Sequence, residues 1–333
     1  MQPPRFWNNP PKRPGIWAYL LSPLSMIWRA KTATRLSKGP RHKLDIPVIA
    51  VGNINLGGTG KTPSVIALVQ MLQDMGRNPA VVSRGYGGQI QGPHQVDPNR
   101  DEAGDTGDEP LLIAAFAAVW VSKDRVAGAR AAHAQGHDCV ILDDALQNPD
   151  LSHDLTITVV DAKAGFGNGR VCPSGPLREP VETGLSRSDL VLSVGTAHQM
   201  DQLTQDWPAL RARPLIRAVL APLETGFDWA GMRVYAFAGI GRPAKFFQSL
   251  KQAGANLIVT RAFGDHAPYN PALLKRMQAE AWAQDCNLVT TEKDAVRLPQ
   301  DMRHEVLTFP VRIQFEDETK VREALATLFA KAG

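Results

Sequence analysis

"VGNINLGGTGKTP" (residues 51–63) decides the fold, because a glycine-rich turn between a buried strand and a helix has one dominant use, holding phosphate. It closes the apolar run "IPVIAVG" and opens "TPSVIALVQMLQDMG", a helix pattern stopped at Gly76. Backbone amides from Asn55 through Leu56, Gly57, Gly58, Thr59 and Gly60 to Thr62 are expected to wrap a polyphosphate, the glycines permitting a tight, partly left-handed turn. Lys61 would reach the β- and γ-phosphates and the Thr62 hydroxyl would hold Mg²⁺. The helix starting near Thr62 would aim its positive end at the same place. Asn55 stands where the standard loop has its first glycine. It is expected to replace it by adopting a left-handed conformation.

Outward from this stretch the chain keeps a βα rhythm. "NPAVVSRG", "AVWVS", "CVILDD", "LTITVVDA" and "DLVLSVG" read as strands, with "DEPLLIAAFA" and "DRVAGARAAHAQG" as helices between them. Continuous apolar strands alternating with helices predict a mainly parallel sheet covered on both faces, the α/β class of a P-loop domain. A second rhythm ("RVYAFAG", "NLIVTRAF", "NLVTTEK" with two helices) predicts a smaller C-terminal α/β domain. The expected organisation is a basic, apolar segment at 1–45, the P-loop domain at 46–200, a linker at 201–225, the smaller domain at 226–315 and a terminal helix at 316–333. That helix has Val321, Leu325 and Leu328 on one face and is free to pack on the first domain.

The chain of 333 residues has room for two cores, with 44% hydrophobic and 21% charged residues. Cys139, Cys172 and Cys286 form no C-x-x-C pair, which argues against a disulfide framework or zinc site. Charge is uneven. Nine Lys or Arg in the first 45 residues face the single acid Asp45, so that segment is +8 and the rest −4 of a net +4. Within it "PGIWAYLLSPLSMIW" is uncharged, and fifteen helical residues span only about 22 Å, too short for a bilayer core. Pro23 is expected to interrupt the helix. An interfacial anchor on an anionic membrane fits this block, with an N-terminal helix packed on the domain as the alternative. A secretory signal fits poorly, and so does nucleic acid, because the aromatic residues do not interleave with the charges.

A P-loop needs a metal-holding carboxylate at a neighbouring strand end, and "CVILDD" supplies Asp143 and Asp144, Asp143 coming directly after the strand. "SRGYGG" puts Tyr86 at the sheet's carboxyl edge, where open α/β sheets bind ligands. "GDEP" sets Asp108 and Glu109 at a helix start, where dipole capping is an equal alternative. The long loop "FGNGRVCPSGPLREP" carries Asn168, Arg170 and Arg178. "FGDHAPY" brings His266 to a strand end in the smaller domain.

Taken in order, "GNINLGGTGKTP", "SRGYGG", "GDEP", "DDALQ", "FGNGRVCPSGPLREP", "FGDHAPY" and "TTEKDAVRL" resemble the tetraacyldisaccharide 4'-kinases of lipid A biosynthesis, from about residue 48 to 298. Asn55 agrees with that family, while Ala145 stands where it usually has glycine. The resemblance implies a RecA-like domain closing with a smaller one over ATP and Mg²⁺. It implies transfer to the 4'-hydroxyl of a membrane-resident lipid disaccharide 1-phosphate, from a peripheral position on the cytoplasmic face of the inner membrane. It implies Asp108 as base beside His266. Lys61 and Arg125 would neutralise phosphoryl charge, Asn168, Arg170 and Arg178 would grip the acceptor, and Tyr86 and Glu109 are further candidates for contact with it. No obligate protein partner is expected. A switch ATPase of the partitioning or metal-chaperone kind is the alternative, weakened by Leu56 where its dimer-forming members carry lysine. A soluble small-molecule kinase is another.

Overall fold

A computed structural model describes residues 4–224 and 226–332, the side chains of residues 331 and 332 excepted. Its strands in chain order are β1 (Val48–Gly52), β2 (Pro79–Ser83), β3 (His94–Gln95), β4 (Ala118–Val121), β5 (Cys139–Asp143), β6 (Leu155–Asp161), β7 (Leu190–Val194) and β8 (Leu215–Pro222). There follow β9 (Arg233–Ala238), β10 (Asn256–Ala262), β11 (Asn287–Thr291), β12 (Leu307–Phe309) and β13 (Val311–Phe315). The large sheet runs β13-β8-β7-β6-β1-β5-β2-β4-β3 and a smaller one β10-β9-β11-β12. Pairing is parallel throughout except for the edge strands β13 and β3. Because β1, β2, β5 and β6 run the same way, their carboxyl ends share one edge, and the glycine loop follows the central strand β1 at that edge.

Alternation within each strand sorts residues between two cores. Ile49, Val51, Val81, Ile141, Val159 and Leu192 face Val65, Leu68, Val69 and Leu72 of helix Lys61–Asp74. Val321, Leu325 and Leu328 of helix Thr319–Ala332 join that cluster. Val48, Ala50, Ala80, Val82, Val140 and Leu142 face Val126, Ala129 and Ala132 of helix Arg125–Ala134. Burial on both faces is what made these strands read as unbroken apolar runs.

The stretch expected as a linker, 201–225, carries regular structure as far as residue 222, residue 225 lying outside the described residues. It includes most of helix Ala197–Asp206, a 3₁₀ turn at Pro208–Ala212 and β8, which pairs in parallel with β7. In β8 only Ile216 and Ala218 are fully buried, so its sequence carries little apolar signal. β13, read with the smaller domain, returns to the large sheet and pairs antiparallel with β8, Val311 opposite Pro222 and Phe315 opposite Ala218. The smaller body is therefore an insertion, carried on two adjacent chain passes where Leu223 N–H donates to the Pro310 carbonyl (3.0 Å).

In the N-terminal segment the helix breaks at Leu21, between Ile16–Leu20 and Ser22–Lys38. Pro23 sits in the first turn of the second helix, where its missing N–H costs nothing. One side of these helices is fastened to the loops of the first body. The Ser25 hydroxyl bonds Val171 O and Ser174 Oγ, and Trp28 Nε1 donates to Arg178 O (3.1 Å). Arg35 donates to Gln147 O. The helices still leave Ile16, Trp17, Tyr19, Leu20, Leu24, Met26, Ile27 and Trp28 at least 44% exposed. Among the described residues no helix is long and apolar enough to cross a membrane.

Candidate active site

The glycine loop is closed by two glycines in the left-handed region, Gly57 (φ +106°) and Gly60 (φ +94°), the latter capping helix Lys61–Asp74. A Cβ added at Gly57 or Gly58 would meet nothing within 4 Å, so the space beside the loop is open. Asn55 does not take the left-handed conformation expected of it. It is buried, pairs across a bridge with Leu177, and donates from its amide to Gly165 O (3.0 Å). A side chain that fastens two loops holds the start of the turn by hydrogen bonding where glycine would do so by backbone freedom. Leu56 N–H likewise donates to Pro176 O (2.6 Å). Thr59 and Thr62 are buried, and Thr59 Oγ1 has no hydrogen-bond partner.

Lys61 Nζ lies 3.1 Å from Asn53 Oδ1 and 3.3 Å from Asp144 Oδ1. Asp144 (φ +52°) is also clasped by Arg178, NH1 to Oδ2 at 2.9 Å. Burial pushes the Asp144 carboxyl up, but Lys61 and Arg178 outweigh it and hold it down at about 2. Asp143 ends β5 and accepts from Ser83 Oγ (3.2 Å), while its Oδ1 is buried without a partner. Burial, then the charges of Glu109 and Asp144, push Asp143 up to about 6. A buried carboxylate with an unused oxygen, destabilised as an anion beside a second carboxylate, is a suitable donor for a hard divalent cation. Among the described residues no three His, Cys, Asp or Glu side chains gather into a metal cluster. Mg²⁺ is commonly held by one or two carboxylates together with substrate phosphates, and Asp143 and Asp144 are the carboxylates at this strand end.

Arg125 is buried behind these acids, NH2 donating to Asp144 O (3.0 Å). Burial lowers its pKa against the opposing charges of Asp144 and Asp143. Gln147 ties the group together, donating to Asn53 O (3.0 Å) and Glu179 Oε1 (2.8 Å) and accepting from Arg178 (3.2 Å).

A second cluster crosses between the bodies. Asp108 begins helix Asp108–Ile113 and is 3% exposed. His266 Nδ1 stands 2.9 Å from its Oδ2, close enough for an ion pair but not aligned as a directed hydrogen bond. Lys293 Nζ (3.9 Å) and Arg297 Nε (3.7 Å) face the same oxygen. Burial raises the Asp108 carboxyl, but His266, Lys293 and Arg297 outweigh it, leaving it below its ordinary range. His266 is left-handed (φ +57°), an uncommon conformation for a side-chain-bearing residue at a cleft. Glu109 pairs with Lys293 (2.9 Å). Tyr86, exposed, packs edge-on to His266 with ring centres 5.8 Å apart.

Two expectations for the long loop change. Asn168 is 1% exposed and its amide is used internally, donating to Phe6 O and Ser174 O and accepting from Arg170 N–H, so it holds the loop and cannot grip an acceptor. Arg178 faces Asp144 as its counter-ion. Arg170 stacks its guanidinium 4.6 Å from the Tyr19 ring, tying the loop to the N-terminal helices. The sequence alone gives no role to Lys293, Arg297, Ser83, Gln147 and Asn53. Their signal was position: each follows or ends a strand on the shared carboxyl edges.

The model of the tetraacyldisaccharide-1-P 4'-kinase family matches residues 17–330. A tetraacyldisaccharide 4'-kinase of Dinoroseobacter shibae is 52% identical over 333 residues, covering 100% of this chain and 99% of that protein. Its counterpart in Jannaschia sp. is 50% identical over 317 residues, covering 95% and 96%. The crystal structure of LpxK from Aquifex aeolicus in complex with ATP superposes with a TM-score of 0.77 at 26% identity, covering 94% of this chain and 100% of that one.

Proposed function

The chain belongs to the tetraacyldisaccharide-1-P 4'-kinase family, and on that premise we propose that Asp108 and His266 form its proton-accepting pair. The enzyme is an ATP-dependent kinase of lipid A biosynthesis that phosphorylates the 4'-hydroxyl of a tetraacyldisaccharide 1-phosphate. The single observation behind the pair is the 2.9 Å approach of His266 Nδ1, from the inserted body, to Asp108 Oδ2 of the first. A sugar hydroxyl is a weak nucleophile, so its proton must leave as the phosphorus–oxygen bond forms. Asp108 accepts that proton, and the positive groups around it keep it ionised and ready. His266 orients the carboxylate and shares the proton. Because the two belong to different bodies, the pair exists only when the cleft is closed, which excludes water from the terminal phosphoryl.

Loop amides and Lys61 hold the polyphosphate, Lys61 exchanging its Asp144 contact for phosphate oxygens. Thr62, Asp143 and Asp144 are the residues that would hold Mg²⁺, which supplies neutralisation of phosphate charge. Arg125, fixed behind Asp144, contributes positive potential to that group. Arg170 and Tyr86 remain the candidates for the acceptor. The exposed apolar face of residues 16–28, flanked by Arg13, Arg29 and Lys31, lies in the headgroup region of an anionic cytoplasmic-side membrane, where the acyl chains of the acceptor reside.

The test is transfer of radiolabelled γ-phosphate to the lipid disaccharide 1-phosphate, with a water-soluble sugar as control. His266→Ala lowers kcat by roughly 10²–10⁴ in that assay, the range for lost acid–base assistance. A change confined to KM would reduce His266 to a binding residue.

A further inference from the structure

Lys293 touches no reacting atom in the chemistry above, yet it reaches from one body into the acids of the other. It sits in the short helix Glu292–Ala295 directly after β11, and its Nζ is 2.9 Å from Glu109 Oε1 and 3.9 Å from Asp108 Oδ2. Glu109 and Asp108 are neighbours in the first turn of helix Asp108–Ile113. That helix starts at Gly107, which has no side chain to cap it. Within that turn Asp108 Oδ1 accepts from the Glu109 N–H (3.0 Å), which couples the two acids, and no N-cap side chain fixes the turn from the first body. Lys293 supplies an anchor there.

Its neighbour Arg297 is fixed differently. Its guanidinium donates to Ala267 O (2.9 Å) and Gly239 O (2.8 Å) and pairs with Asp294. Asp294 is itself buried, accepting from the Tyr269 hydroxyl (2.7 Å) and Gly239 N–H (2.9 Å). Arg297 is thus a rigid part of the inserted body's wall, whereas the hydrogen-bond partner of Lys293 lies across the cleft. Burial works against the Lys293 charge, but Glu109 and then Asp108 outweigh it and raise its pKa. The lysine therefore stays charged in place.

We propose that Lys293 is a positioning residue, which by gripping Glu109 across the cleft fixes the first turn of helix Asp108–Ile113 and so aims Asp108 at the acceptor hydroxyl. The inference rests on the kinase reading above. It adds that closure is read out by a lysine–glutamate contact that touches neither substrate.

The experiment is a double-mutant cycle on the full chain in the lipid transfer assay, wild type alongside as the separate check on the kinase reading. Lys293→Met keeps the stem and removes the charge. It lowers kcat by ~10-fold or more while the KM for ATP stays within ~2-fold, because a displaced base slows transfer without loosening the nucleotide. Lys293→Arg, which retains a cation, recovers most of the rate. In a Glu109→Gln background the same Lys293→Met change costs less than ~3-fold, since its partner is already lost. Should Lys293→Met fail to fold by circular dichroism, Lys293→Gln takes its place in the cycle under the same criteria. Equal losses in both backgrounds overturn the proposal. So does an effect confined to KM, an unchanged kcat, or a Lys293→Arg variant no better than Lys293→Met.

Discussion

Lys61 shows what a single residue contributes, since it is the one cation that both faces Asp144 and follows the glycine turn directly. Lys61→Ala removes phosphoryl transfer while the thermal midpoint stays near wild type, because Arg178 still neutralises Asp144. Label transfer and circular dichroism check the two halves; an active variant sinks the phosphate-loop assignment. His153 gives a pH prediction. Burial, then the charges of Arg125 and Arg187, hold its imidazole down at about 4, against 6.5 for the free side chain. The folded state then binds fewer protons than the unfolded state between those values, so stability is full above about pH 6.5 and is lost as pH falls through the window. At about pH 5 the loss is ~2 kcal/mol. His153→Gln removes it, read as a smaller drop in thermal midpoint between about pH 7 and pH 5. Lys61, Thr62, Asp143 and Asp144 were legible because their chemistry depends on local spacing after a strand. Lys293 was not, because its partner Glu109 is 184 residues away. Asn168 was misread because a polar residue in a long loop gives no sign of whether its amide faces outward or inward.

At the scale of elements, the buried strands were legible and the edge strands were not. β1, β5 and β6 are buried along their whole length, while β8 and β13 alternate around a few core positions at the sheet's border. A half-covered strand containing Arg217 and ending in proline looks like a connector until its pairing partner is known. Close approach between elements makes its own prediction at Gly52. A Cβ there would lie 2.6 Å from Leu146 Cβ and 2.7 Å from Leu146 N, the second a backbone atom that cannot swing away. Gly52→Ala lowers unfolding free energy by about 1–3 kcal/mol, the cost of overpacking, and displaces the turn after Asp144. Chemical denaturation measures the first effect, and weakened nucleotide binding the second. Wild-type stability would show that β1 and the turn after β5 sit further apart.

For the whole molecule, two sets of opposite charges join the bodies. Asp108 and Glu109 meet Lys293 and Arg297, and Asp161 at the end of β6 meets Arg242 (2.9 Å) and Lys245 (3.3 Å). Asp161→Asn leaves two cations without their buried partner, and the bodies then part more readily. Faster cleavage by protease in the connection at 223–232 reports this, and an unchanged cleavage rate rules it out. The exposed N-terminal face acts at the same scale. Wild type floats with anionic vesicles, whereas the triple change Ile16→Ser, Trp17→Ser, Leu20→Ser does not, with ATP binding retained because those side chains are at least 60% exposed. Co-flotation of both proteins would leave the face without that purpose.

The return of the chain from the inserted body into β13 has a consequence for how the protein is born. On the ribosome, everything from 223 to 310 must be made before the border strand and its covering helix can seal the hydrophobic layer over the nucleotide-gripping half. Until then a nascent polypeptide exposes that unsealed layer to chaperones and to its neighbours, so mutations in the small body will also reduce yield of the large one.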